Sequence, residues 1–131
     1  MKILGLIPAR GGSKSIPLKN IKILKGKPLI HYSIETAIKS KIFDNIVVST
    51  DSKKIIKKCK KFNKIYIFNR DKKISLDKSP TEDVVKDVLL KLKKKFNYSP
   101  DYIFILEPTS PLRSINTIFK DKNFLKKKKV N

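Results

Sequence analysis

A chain of 131 residues, 40% of them hydrophobic, is long enough to bury a core as one domain and too apolar to be a disordered tail. Its formal charge of +21 comes from 32 Lys and Arg against 11 Asp and Glu, but the lysines are scattered over every expected helix. The arginines are only Arg10, Arg70 and Arg113, and no RNP, helix-turn-helix or zinc pattern accompanies them, which argues against a nucleic-acid partner. No apolar run reaches the ~18 residues of a membrane span. The start at Met1-Lys2 lacks a signal-peptide pattern, and the lone Cys59 forbids an internal disulfide, so a cytoplasmic protein without a membrane partner is expected.

In chain order, Ile3–Pro8 is an apolar run expected to form a buried first strand. It leads straight into Ala9-Arg10-Gly11-Gly12-Ser13-Lys14 and then Ile16-Pro17-Leu18-Lys19-Asn20. Gly11 and Gly12 let a backbone turn tightly and bring its N–H groups close to a ligand. Arg10, Lys14 and Lys19 add cations around that turn. Glycines for access and fixed cations for charge suit a polyphosphate, although the spacing is neither GxxxxGK[ST] nor GxGxxG.

A helix is expected over Pro28–Ser40, with Leu29, Ile30, Ser33, Ile34, Ala37 and Ile38 as its apolar stripe. His31 lies beside that stripe as a packing or surface residue. Ile46–Ser49 reads as the second strand, after which Asp51 can cap a helix marked by Ile55, Ile56, Cys59 and Phe62. Cys59 falls on the apolar face and is expected in the core. Ile65–Phe68 is the third strand, and Asn69 to Lys78 the longest loop.

Ser79-Pro80-Thr81-Glu82 then offers Ser at the N-cap, Pro at N1 and Glu at N3 of the next helix. Val84, Val85, Val88, Leu89, Leu92 and Phe96 form its stripe. Tyr102–Leu106 is the fourth strand, and the region around Ile115, Ile118 and Phe119 is helix-like. Strands and helices thus alternate, and the strands are nearly continuous in apolar residues. The fold class expected is α/β: a three-layer, mostly parallel sheet covered on both faces. Ligands of such sheets bind beyond the carboxyl ends of the strands. That rule brings the loop after the first strand, Arg70 after the third and Glu107 after the fourth to one edge.

The string ARGGSKSIPLKNI (Ala9 to Ile21) resembles the N-terminal signature of the acylneuraminate cytidylyltransferases, the CMP-sialic acid synthetases and their relatives. Leu106-Glu107-Pro108-Thr109-Ser110-Pro111-Leu112-Arg113 is similar to a second motif of that family, LQPTSPLR. The likeness runs from Met1 to about Arg113. It implies a Rossmann-like nucleotidyltransferase fold of the nucleotide-diphospho-sugar transferase type. It also implies transfer of CMP from CTP to a sialic-acid-like sugar acid, with release of pyrophosphate.

On this resemblance, Lys19 and Arg10 are the catalytic candidates, supplying positive charge near the phosphates. Gly11, Gly12, Ser13, Lys14 and Asn20 join Arg10 in nucleotide binding. Arg70 corresponds to a family arginine that helps read the cytosine base, and Ser79 and Thr81 to small hydroxyl residues near the nucleotide. Glu107, Thr109, Ser110 and Arg113 fall on the sugar side. Glu107 departs from the family's usual Gln, and a carboxylate there repels the substrate's own unless Arg113 or a metal compensates it. Cytidylyltransferases for Kdo have a metal-binding Asp where Thr109 stands, which argues against that alternative sugar.

The family implies Mg²⁺, but its principal metal carboxylates lie in a C-terminal section beyond this chain. No metal ligand is therefore assigned among these residues. The resemblance also allows a homodimer. The family's enzymes are considerably longer, so residues 1–131 are expected to be a partial domain, the CTP-binding N-terminal portion, with little catalysis of its own. A frameshift in an adenine-rich tract at Lys126-Lys127-Lys128-Lys129 and a genuine short protein are the two origins open for such a chain.

Overall fold

The first strand β1, Ile3–Pro8, is the centre of the molecule, and its neighbours explain why it is apolar on both sides. In the computed structural model, which describes residues 1–11, 21–70 and 81–108 and the backbone of 117–120, β1 pairs in parallel with two strands. These are β4 (Asn45–Thr50) and β6 (Tyr102–Ile105). β5 (Tyr66–Asn69) extends the sheet beyond β4, also in parallel. β7 (Thr117–Lys120) lies antiparallel on β6, giving the order β5-β4-β1-β6-β7.

Side chains of a strand alternate between faces, and here each face has its own core. Leu4 and Leu6 of β1, Val47 of β4 and Ile103 and Ile105 of β6 pack with Val84, Val85, Val88 and Leu92 of helix α3 (Thr81–Phe96). Ile7, Ile46, Val48 and Leu106 pack on the other face. Their partners are Ile30, Ile34 and Ala37 of α1 (Leu29–Ser40) and Ile55 and Cys59 of α2 (Lys53–Cys59). The three-layer, mostly parallel arrangement expected from the sequence is therefore the one formed. Because the chain passes from β1 to β4 on one side and reaches β6 on the other, the topological switch lies between β1 and β6.

Cys59 is a core residue, as expected, and of the two places open to His31, packing or surface, it takes the packed one. His31 is buried, Nε2 meets the Lys58 carbonyl at 2.7 Å, and its ring sits edge-on to Phe62 at 5.0 Å. Cys59 is fully buried, and that burial pushes its thiol up to about 12.

Several expectations need correction. Pro28 does not open α1. It ends β3 (Lys27–Pro28), which pairs with β2 (Ile23–Leu24) in a small hairpin that the sequence reading did not anticipate. Its two-residue turn holds Lys25 at φ 50° and Gly26 at φ 86°, the positive values that match strand twist. Strands of two residues carry no periodicity to detect. Phe96 ends the α3 stripe half-exposed against Tyr66, with ring centroids 4.8 Å apart.

The stretch around Ile118 and Phe119 is not helical. It forms β7, whose backbone pairs Phe119 with Ile103 and Ile118 with Phe104. An open edge at β6 offers a row of ladder partners, and three apolar residues are too few for a helical period to outweigh it. Ile115 lies outside the described residues, as do Ser79 and Pro80 of the proposed capping box.

Candidate functional site

Each parallel strand hands over its last residues at the same edge of the sheet. The ladders continue one step past the strand ends. Ala9 N–H donates to the Ser49 carbonyl at 2.9 Å, Arg70 N–H to the Thr50 carbonyl at 2.7 Å, and Leu106 N–H to the Leu6 carbonyl at 2.9 Å. Arg10 and Gly11, Asp51 and Ser52, Arg70, and Glu107 follow directly, so the fold itself sets them along one edge of the sheet, with Arg10 and Glu107 on either side of the switch point.

Ser49 ties two of these segments together. It is fully buried, and its carbonyl accepts from Arg70 Nη2 at 2.9 Å as well as from Ala9. Its hydroxyl Oγ accepts from Arg70 Nε at 3.1 Å. The Arg70 side chain is therefore held in one pose, with only 5% of the residue exposed. Loss of hydration lowers its pKa most; Asp51 and Asp87 push it back up, Arg10 lowers it, and Glu107 raises it. A guanidinium survives such a shift as a cation. Arg10 and Arg70 thus approach closely enough to repel, with carboxylates around them. Asp87 is itself fixed by Lys91, whose Nζ reaches it at 2.9 Å and the Asn69 carbonyl at 2.6 Å.

Gly11 is a steric necessity. A Cβ placed on it would lie 2.7 Å from Ser52 Cβ, closer than carbon atoms approach. Ser52 cannot readily yield, because its Oγ accepts from Ile55 N–H at 3.3 Å as the N-cap of α2. This corrects the sequence reading, which gave the cap to Asp51. Asp51 instead accepts the Gly11 N–H on Oδ1 at 2.7 Å.

Glu107 is partly buried beyond β6, and its carbonyl accepts a long bond from Ser33 Oγ at 3.4 Å. Its carboxylate is the weakest of the charges that act on Arg70. Thr81 is exposed at the start of α3. Gly12, Ser13, Lys14, Lys19, Asn20, Ser79, Thr109, Ser110 and Arg113 lie outside the described residues.

The structure therefore brings together Arg10, Gly11, Arg70 and Glu107. It adds Ser49, Asp51, Ser52 and Asp87, which the sequence reading did not assign to the site. The edge rule, applied to the end of the second strand as it was to the others, would have pointed to Ser49-Thr50-Asp51-Ser52. Among the described residues, no group of three or more His, Cys, Asp or Glu side chains could hold a metal ion, and no helix is long and apolar enough to cross a membrane. A cavity of about 380 Å³ is at the opposite end of β4, near Asp44 and Asn45; another of about 470 Å³ is beside α2, lined by Lys54, Lys57, Lys58 and Lys61.

Comparison with known proteins gives the same direction. The family model described as cytidylyltransferase matches residues 4–130, past Arg113, where the motif resemblance had been expected to fade. The chain is 46% identical over 112 residues to a pseudaminic acid cytidylyltransferase of Campylobacter jejuni, covering 86% of this chain and 48% of that protein. It is 40% identical over 118 residues to a CMP-N,N'-diacetyllegionaminic acid synthase of Legionella pneumophila, covering 90% and 50%. The chain thus spans about half the length of the curated relatives it matches. Its fold is that of a CMP:2-keto-3-deoxy-manno-octonic acid synthetase solved with CTP, at TM-score 0.69 and 23% identity over 87% of this chain and 43% of the other.

Proposed function

The chain belongs to the cytidylyltransferase family, and we propose that it binds CTP for the transfer of CMP to a nonulosonic, sialic-acid-like sugar acid. The observation that carries this is the convergence of Arg10, Gly11, Arg70 and Glu107, from three separated segments, at the carboxyl edge beside the β1/β6 switch. Two cations at such an edge suit the phosphates and base of a nucleotide, and the relatives named above act on pseudaminic and diacetyllegionaminic acids.

In the reaction proposed, the anomeric hydroxyl of the sugar acid attacks the α-phosphorus of CTP. A new O–P bond forms, the bond to the β-phosphate breaks, the hydroxyl proton passes to solvent and pyrophosphate leaves. Arg10 and Lys19 hold negative charge that builds on the phosphate oxygens. Gly12, Ser13, Lys14 and Asn20 complete the phosphate loop in this reading. Arg70, rigid on Ser49, faces the base, with Ser79 and Thr81 nearby. Glu107, Thr109, Ser110 and Arg113 serve the sugar acid. Mg²⁺ bound to the triphosphate would supply electrophilic activation. Among the described residues, no group of three or more His, Cys, Asp or Glu side chains could hold it.

Calorimetry with CTP, UTP, GTP and ATP tests the nucleotide. CTP is expected to bind most tightly, and equal affinity for ATP and CTP would overturn the cytidine reading. Pyrophosphate release from CTP with pseudaminic, legionaminic and sialic acids in turn then ranks the sugars.

A further inference from the structure

Asp51, expected from the sequence to cap α2, is not used as its cap. Ser52 caps α2, which leaves the Asp51 carboxylate for another task. It reaches back 40 residues to the loop after β1 and accepts the Gly11 N–H at 2.7 Å, a charge-assisted hydrogen bond. The contact is exclusive in shape, since Gly11 sits so close to Ser52 that no side chain fits between them. Asp51 also stands in the field of Arg70, whose cation is itself close to that of Arg10. One carboxylate therefore fastens the loop that starts at Arg10 and offsets the repulsion between the two arginines.

We propose that Asp51 is a positioning residue for nucleotide binding: by holding Gly11 N–H it fixes the backbone at Arg10-Gly11 so that Arg10 and Arg70 converge on one anion. This rests on the nucleotide reading for its functional half, while its structural half stands on Gly11 alone. Removing the carboxylate frees the Gly11 N–H and leaves two guanidinium groups less well compensated. Asparagine keeps an acceptor oxygen at the same place and is the conservative rescue.

The test combines amide hydrogen exchange at Gly11 with CTP calorimetry on the 131-residue chain and its D51A and D51N variants. In D51A, Gly11 exchange is expected to rise about tenfold or more and the CTP Kd about tenfold, the effect of losing one charge-assisted bond. In D51N both are expected to rise by only about threefold, because a neutral oxygen still accepts but without the assistance of charge. Unchanged Gly11 exchange in D51A overturns the proposal whatever CTP does. Faster exchange with unchanged CTP affinity overturns its functional half. A wild-type chain that protects Gly11 through Asp51 yet binds no CTP upholds the anchor and defeats the nucleotide reading. If D51A does not fold, D51N decides: Gly11 exchange raised by about threefold supports the anchor, and no rise at all overturns it.

Discussion

Arg70 grips Ser49 at two points, donating from Nε to the hydroxyl at 3.1 Å and from Nη2 to the carbonyl at 2.9 Å. The pair joins the ends of β5 and β4 and turns a long, flexible cation into a fixed one. A buried guanidinium with satisfied donors is tolerable, whereas one deprived of an acceptor carries the full penalty of desolvation.

Ser49→Ala should therefore destabilise the fold by about 1.5–3 kcal/mol, the range for a hydrogen bond to a charged group. Urea unfolding of both chains measures this. A difference below ~0.5 kcal/mol, typical of a surface substitution, would mean that Arg70 does not depend on the hydroxyl.

Gly11→Ala should destabilise by about 1–3 kcal/mol, because the new Cβ meets Ser52 Cβ at 2.7 Å. Adding Ser52→Gly removes the atom it strikes, and Gly at an N-cap costs only a few tenths of a kcal/mol relative to Ser. The double variant should thus recover most of the loss in a thermal melt. Failure to recover would place the cause of the damage elsewhere than in this contact.

Glu107→Gln should lower the KM for the sugar acid while changing CTP affinity less. An amide removes the repulsion of the substrate carboxylate and adds a donor. Part of that gain is offset because Arg70 loses one of the carboxylates around it. Steady-state kinetics on the sugar and calorimetry on CTP separate the two effects. A larger change in CTP affinity than in sugar KM would put Glu107 on the nucleotide side.

The Cys59 thiol, raised from 9.0 to about 12 by burial, stays neutral in the folded chain at pH values where the unfolded thiol ionises. Its contribution to stability is complete below pH 9.0 and is lost as the pH rises towards about 12. Relative to Cys59→Ala, which cancels the titration of the many lysines, the wild type should lose at most ~1.4 kcal/mol per pH unit in that window. Denaturation at pH 8 and pH 10.5 measures the difference; an equal pH dependence in both chains would show that the thiol is hydrated.

The sequence alone determined the layers. Ile3–Pro8 is apolar at consecutive positions, which only a strand covered on both faces tolerates, and the Val84-Val85-Val88-Leu92 stripe repeats at the period of a helix. From those periods and the edge rule, Arg10, Gly11, Arg70 and Glu107 could be assigned to one rim before any coordinates. Local pattern could not say which of two neighbouring capping residues would cap. Asp51 and Ser52 are equally able, and the choice was made by the Gly11 backbone arriving from 40 residues earlier. Nor could it show that Ser49 would hold Arg70 or that Arg70 would sit in the field of Glu107, because these are contacts between strand ends remote in sequence. The same holds for β7, where the open edge of β6 supplied hydrogen-bond partners that a short apolar run cannot announce. Periodicity is a property of the chain, whereas pairing and charge compensation depend on what the fold brings alongside.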